Sequence, residues 1–327
     1  MLNYDFIISK IKAIHSKSYF GENFVQLKKI SSIDRLYKEL FNTDLNNLQI
    51  KSLYTLTETM FKKKIYDDIS KISKYFGHKN RVINSFILKY EIENVKLIIN
   101  YYYNGKKEIK NLFEIYLDNT INYDLVYSLN ISDLKNITKI LNKTVFQFLI
   151  PHIEKKEPLF LIENLLDKFY YNNFFESLEE SETNTRNYLK NILIYEADWQ
   201  NIVWAFRTKV HYGKEFAEIK NSFIVGEGLL SIDKIEKIFD LQFVPNEAER
   251  LFENYPKKYK EIILKVFRDD GDADIPLLEK IIDEKINQKY IKYFYIGENI
   301  LPVIAFVYLK IQEYYNIVSI VESLRYT

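Results

Sequence analysis

Cysteine is absent from this 327-residue chain, which excludes disulfide bonds, thiolate metal ligands and a cysteine nucleophile. Histidine is almost as scarce, and the four residues His15, His78, His152 and His211 never stand in the H-x-x-x-H or H-E-x-x-H spacing of a zinc site. We therefore expect no metal centre and no bound cofactor. A chain without cysteine also fits a reducing compartment, and we expect it in the cytoplasm.

Glycine and proline are rare as well, with only 8 and 6 residues, whereas average usage would be about 12% of a chain. So few breakers favour long helices over a fold with many turns. The opening segment 4–14 has apolar residues at spacings of three and four, which predicts an amphipathic helix. Ser31 or Ser32 is expected to cap a second helix, and Gly77 to mark a break between later helices. We predict an all-α protein.

No hydrophobic run is long enough to cross a membrane. The longest, residues 300–309, has ten residues and contains Pro302, whereas a spanning helix needs about 20. The first six residues also lack the basic and apolar regions of a signal peptide. These features predict a soluble chain that is peripheral to a membrane only through a partner.

Recognisable catalytic motifs are missing too. Gly105-Lys106-Lys107 and Gly213-Lys214-Glu215 lack the earlier glycine and the Ser or Thr of a phosphate-binding loop. The acidic segment 268–274 places its glycine outside the spacing of a calcium loop, and we expect it to cap the helix that follows. Aromatic residues fall at core spacings and do not form a nucleic-acid platform. We expect no catalytic residues, no small-molecule substrate and no bound nucleic acid.

The chain does contain a helical motif that occurs three times, at residues 90–95, 198–202 and 313–317. When the copies are aligned on their asparagines, each has an acid three residues earlier and an aliphatic residue one position later. The intervals of about 107 and 115 residues predict three related helical domains, 1–105, 106–213 and 214–327, with pseudo-threefold symmetry. The first of these is the most basic third of the chain, which would suit an acidic partner or simply give a solvated lysine-rich surface.

The acid and the asparagine of each copy lie about 100° around the helix from an apolar stripe that faces the core. Two interpretations remain open. The amide can join a hydrogen bond between helices that recurs in each domain, or the pairs can line the central axis and contact a partner. The partner-contact candidates are Glu91, Asn94, Asp198, Asn201, Glu313 and Asn316.

Three segments resemble the C subunit of prokaryotic V-type (A/V-type) ATPases, the relative of the d subunit of eukaryotic vacuolar ATPases. In 302–317, Lys310, Glu313 and Asn316 match the family's pattern of proline, aromatic and Lys-Glu-x-Glu-x-x-Asn, whereas Ile311 replaces the first acid. The helix 198–202 and the glycine-containing segment 223–230 are similar to the family's second motif. The opening segment 4–18 carries lysines where the family usually has arginines.

The resemblance implies a funnel-like, all-helical, non-catalytic subunit of the central rotor. Its wide end would receive the shaft subunits D and F, and its narrow end would rest on the membrane ring of proteolipid subunits. ATP turnover in the complex would then be coupled to ion transport. Two other classes stay open from the residues alone: a free-standing helical adaptor that binds a peptide or nucleic acid, and a helical enzyme whose site is built from dispersed residues.

Overall fold

The computed structural model describes residues 4–43, 50–76, 80–109, 112, 117, 119–242, 244–268, 273–296 and 300–326. Its α-helices are α1 (Tyr4–His15), α2 (Glu22–Leu27), α3 (Ile33–Phe41), α4 (Ile50–Ser73), α5 (Arg81–Tyr103), α6 (Tyr123–Ser128), α7 (Leu134–Leu141), α8 (Ile150–Glu154), α9 (Leu159–Leu178), α10 (Thr183–Arg207), α11 (Phe216–Ile219), α12 (Ile232–Asp240), α13 (Pro245–Leu251), α14 (Lys257–Val266), α15 (Ile275–Ile296) and α16 (Leu301–Tyr326).

The fold is all-α, as the scarcity of glycine and proline predicts. Within the described residues there is no β-strand, and the only β-type pairing is an isolated antiparallel bridge between Phe267 and Ala273. Short 3₁₀ segments join several helices, and α10 continues into one π-helical turn, Thr208–Tyr212. None of the described helices is both long enough and apolar enough to span a bilayer.

The chain divides into two compact units. Unit 1 comprises Met1–Asn94, Ile109–Leu117 and Tyr290–Thr327, and unit 2 comprises Val95–Glu108 and Asp118–Lys289. The bounds of these two units differ from those of the three predicted domains. The three domains and their pseudo-threefold symmetry stay a prediction.

The core of unit 1 is built on α16, which packs mainly against α4 and also against α1. The first half of α16 is buried without interruption, from Leu301 through Ile311, because Lys310 is the only charged residue in this stretch. Helix α3 covers α4 with Leu36 and Leu40, which the sequence predicts on its buried side together with Phe41, and Phe41 is half-buried. The first and last segments of the sequence therefore share one core.

In unit 2 the central helix is α10, which packs against α9 and α12. Its inner face carries Trp199, Ile202 and Phe206, all fully buried. The spacings of three and four between these residues are those predicted for the core stripe. The equivalent stripe is buried in α5 at Ile92, Val95 and Ile99, and in α16 at Ile317 and Val321, with Tyr314 half-buried.

Several helix boundaries follow from local signals in the sequence. Asp133 caps α7 by accepting a hydrogen bond from the backbone N–H of Lys135, and Ser231 stands in extended conformation at the start of α12. Gly105 and Gly213 both end helical segments with positive φ angles of 65° and 56°. Ser32 precedes α3 as expected, whereas the short helix α2 is not among the predicted elements. Gly77 and residues 269–272 of the acidic segment lie outside the described residues.

Candidate partner-binding site

Asn201, in the second copy of the repeated helix, binds a neighbouring loop through both ends of its amide. Its Nδ2 donates to the carbonyl oxygen of Ile224 at 2.7 Å, and its Oδ1 accepts from the backbone N–H of the same residue at 2.9 Å. Asn201 is fully buried, so water cannot replace either bond. The amide thus supplies the donor and acceptor that a second strand would supply in a β-sheet.

Asp198 holds the other end of the same loop. One carboxylate oxygen accepts the backbone N–H of Leu230 at 2.7 Å, and the other accepts the hydroxyl of Tyr259 at 2.5 Å. Burial and the adjacent Asp198 carboxylate both raise the pKa of Tyr259, so its hydroxyl stays protonated and keeps donating. Residues 223–230, here called the 223–230 loop, are therefore fixed to α10 near both ends.

The turn inside this loop depends on Gly228. Its φ angle is 82°, a region that residues with a side chain rarely adopt. A Cβ placed there would also lie 2.8 Å from Cδ1 of Ile194 on α10. The backbone conformation therefore favours glycine, and a side chain at this position would also have to displace the Cδ1 methyl of Ile194.

The third copy of the helix uses its acid in the same way, but on the first segment of the chain. Glu313 accepts the backbone N–H of Tyr19 at 2.8 Å and pairs with Lys310 at 2.8 Å. The Lys310 ammonium also donates to the hydroxyl of Ser18 at 2.8 Å and lies 3.3 Å from the Asp68 carboxylate. Because Lys310 and Glu313 are both buried, each charge needs the other.

His15 lies beside this buried cluster, between two aromatic rings. Its imidazole is 5.3 Å from the ring of Phe20 and 4.5 Å from that of Phe294, measured between centroids. Burial lowers the pKa of His15, and the charge of Lys310 lowers it further, while Glu313 acts in the opposite direction. The neutral imidazole is therefore the form that the folded chain favours.

In the first copy, Glu91 and Asn94 are both buried, and Nδ2 of Asn94 lies 3.4 Å from Oε2 of Glu91. Five of the six partner-contact candidates, all except the half-buried Asn316, are thus at most 2% exposed. In the second and third copies the buried groups bond to the chain itself, which favours the packing interpretation there. Direct contact of these six residues with a partner remains a prediction.

Sequence reasoning found the acid and asparagine pairs but missed their partners, the 223–230 loop and Tyr19. One signal was present: Ser32-Ile33-Asp34 and Ser231-Ile232-Asp233 both open a short helix that follows the bonded segment. Aligning those two starts would have matched the region before α3 with the region before α12.

The described residues contain no group of three or more His, Asp or Glu side chains placed to hold a metal ion. Buried carboxylates here accept hydrogen bonds and pair with a lysine, which is the behaviour of structural groups. The chemistry that this arrangement provides is therefore positional: it fixes loops on helices.

Residues 7–327 match the family model described as "ATP synthase (C/AC39) subunit". The chain belongs to this family. This chain is 24% identical to the C subunit of the A-type ATP synthase of Methanococcoides burtonii over 322 aligned residues. The alignment covers 96% of this chain and 88% of the relative. The protein of the same name from Methanosarcina mazei is 26% identical over 261 residues, or 76% of this chain and 70% of the relative.

Proposed function

We propose that the chain is a non-catalytic subunit of the central rotor of an A/V-type ATP synthase. In that role it couples the shaft subunits D and F to the membrane ring of proteolipid subunits, so that ATP turnover drives ion transport or is driven by it. It is cytoplasmic and peripheral, held at the membrane through the complex. The observation that carries the proposal is the family match, which spans residues 7–327.

The geometry supports a mechanical role in two ways. Polar groups that sequence patterns single out are used to fix loops on long helices, as at Asn201 and Asp198. The ends of the chain are joined through Glu313 and Tyr19 in one core. A part that transmits torque must resist deformation, and tight packing together with satisfied buried bonds gives low compliance.

Reconstitution tests the proposal directly. The purified chain is mixed with a D–F shaft preparation and with the proteolipid ring in detergent, and complexes are separated by size-exclusion chromatography. We expect binary complexes with each and a ternary complex with both. Binding to neither, together with capture of a peptide or nucleic acid, would instead support the free-standing adaptor.

Calorimetry with ATP provides the second test, because an enzyme or nucleotide sensor would bind the nucleotide alone. We expect no binding heat at micromolar ATP and no turnover by the isolated chain. Turnover by the isolated chain would favour a helical enzyme with a dispersed site.

A further inference from the structure

Unit 2 carries a groove of about 300 Å³ on its surface, walled by the end of α9, by α10 and by the 223–230 loop. Phe175 and Leu229, both half-buried, give it an apolar base, and Val225 stands on the loop side. The loop wall is the segment that Asn201 and Asp198 hold in place. The residues of the repeated helix therefore shape this surface without being exposed on it.

The rim of the groove is acidic. Its lining includes the carboxylates Glu176, Glu179 and Glu227 and a single cation, Lys190. Lys190 is already paired with Glu227 at 2.8 Å, and Glu179 is paired with Arg186 at 3.2 Å. Among the residues that the structure describes, Glu176 forms no ion pair, so the rim keeps an excess of negative charge next to apolar surface.

This combination selects the class of occupant. A phosphate-bearing ligand would be repelled by the carboxylates, and so would the anionic headgroups of a membrane surface. A protein segment with a Lys or Arg beside an aliphatic side chain would satisfy both features, pairing with Glu176 and packing on Phe175. The space is at the lower limit for a small-molecule site and suits a few side chains.

We propose that this acidic groove is the seat of a basic, partly apolar segment at the end of the D–F shaft. This inference rests on the proposed function and adds to it a site and a recognition chemistry. The alternative occupant is the proteolipid ring, which lies in the membrane. It is disfavoured because a groove facing the membrane would bring these carboxylates close to anionic lipid headgroups, which repel them.

The absence of cysteine allows a clean test, since one introduced thiol is the only one in the chain. Val225→Cys places it in the groove, and Val210→Cys is the matched control in the same unit. Val225 and Val210 are 45% and 41% exposed. Without a partner present, cysteines at these two positions should therefore react with a maleimide at similar rates. We expect the shaft to slow labelling at position 225 by about tenfold or more, and to leave position 210 within about twofold.

Charge reversal supplies a second measurement. Glu176→Lys lies in the last turn of α9, where a cation is favourable for the helix, so folding should be retained. We expect it to weaken shaft binding by about fivefold or more and to reduce the salt dependence of that binding. Glu236→Lys, on an exposed position of α12, is the control and should change affinity by less than about twofold.

The outcomes separate the two proposals. A shaft that binds the wild-type chain while position 225 stays as reactive as before would overturn the groove assignment and leave the rotor function standing. Protection of position 225 by the proteolipid ring instead of the shaft would overturn it equally. Failure of the wild-type chain to bind the shaft at all would overturn both.

Discussion

Asn201 shows how one side chain can supply the two backbone hydrogen bonds that a neighbouring strand would otherwise supply. Its amide satisfies both backbone groups of Ile224 inside the core of unit 2. Asn316, at the equivalent position of the third copy, is half-buried, and the described residues offer its side chain no hydrogen bond. The same residue type in the same repeat therefore has different energetic weight.

We predict that Asn201→Ala lowers the free energy of unfolding by about 2–4 kcal/mol, because a buried donor and acceptor are left unpaired. Asn316→Ala should cost less than about 0.5 kcal/mol. Urea unfolding of both variants measures the difference. Equal losses would show that the two asparagines have the same role and that the bonds to Ile224 contribute little.

His15 makes the stability of unit 1 depend on pH. Its pKa in the folded chain is below the usual 6.5, so the folded state binds this proton less readily than the unfolded state does. The stabilisation is complete above pH 6.5 and is lost as the pH falls through the lowered pKa. Histidine proton NMR should show the signal of His15 titrating below the usual pKa of 6.5.

Substitution identifies that signal and its consequence. His15→Asn should remove it and flatten the fall in stability below about pH 6.5, whereas substitution of the exposed His211 by Asn should leave both unchanged. A normal pKa for His15 would mean that its environment admits water freely.

At the scale of elements, the 223–230 loop is held from outside by α10 and from within by Gly228. We predict that Gly228→Ala destabilises the chain by about 2 kcal/mol or more, since it combines backbone strain with a steric clash. Gly105 also has a positive φ, of 65°, but there is open space around a new Cβ, so Gly105→Ala should cost only about 1 kcal/mol.

A double-mutant cycle separates the two contributions at this turn. Ile194→Val deletes the Cδ1 atom that the new Cβ would meet at 2.8 Å. In that background Gly228→Ala should approach the cost seen at Gly105. An unchanged cost would mean that backbone strain alone accounts for the requirement for glycine.

The helices show which features a sequence reveals. Asp133, Gly105 and Ser231 could be assigned because caps act within a few residues of the helix end that they mark. The core stripe of α10 follows from its periodicity for the same reason. The partners of Asn201 and Glu313 lie 23 and 294 residues away, and no local signal encodes which distant segment will meet a buried amide or carboxylate.

At the scale of the whole molecule, Lys310 joins the two ends of the sequence in unit 1. We predict that Lys310→Met costs about 3–5 kcal/mol, because it leaves the buried Glu313 without its cation and leaves Asp68 with only its pair to Lys71. Hydrogen exchange should rise in α1 and α16 but not in α10 of unit 2. The exposed Lys292→Met should leave both patterns unchanged, and a uniform rise with Lys310→Met would show that the chain opens as one body.

The bond between Glu313 and the backbone of Tyr19 also sets an order of events during biosynthesis. The acceptor is made 294 residues after the donor, which at about 5–20 residues per second is a delay on the order of tens of seconds. Throughout that time the opening helix has left the ribosome while the apolar helix that it covers does not yet exist. Until then α1 can pack only against α4, which it also contacts, and its surface towards α16 stays uncovered.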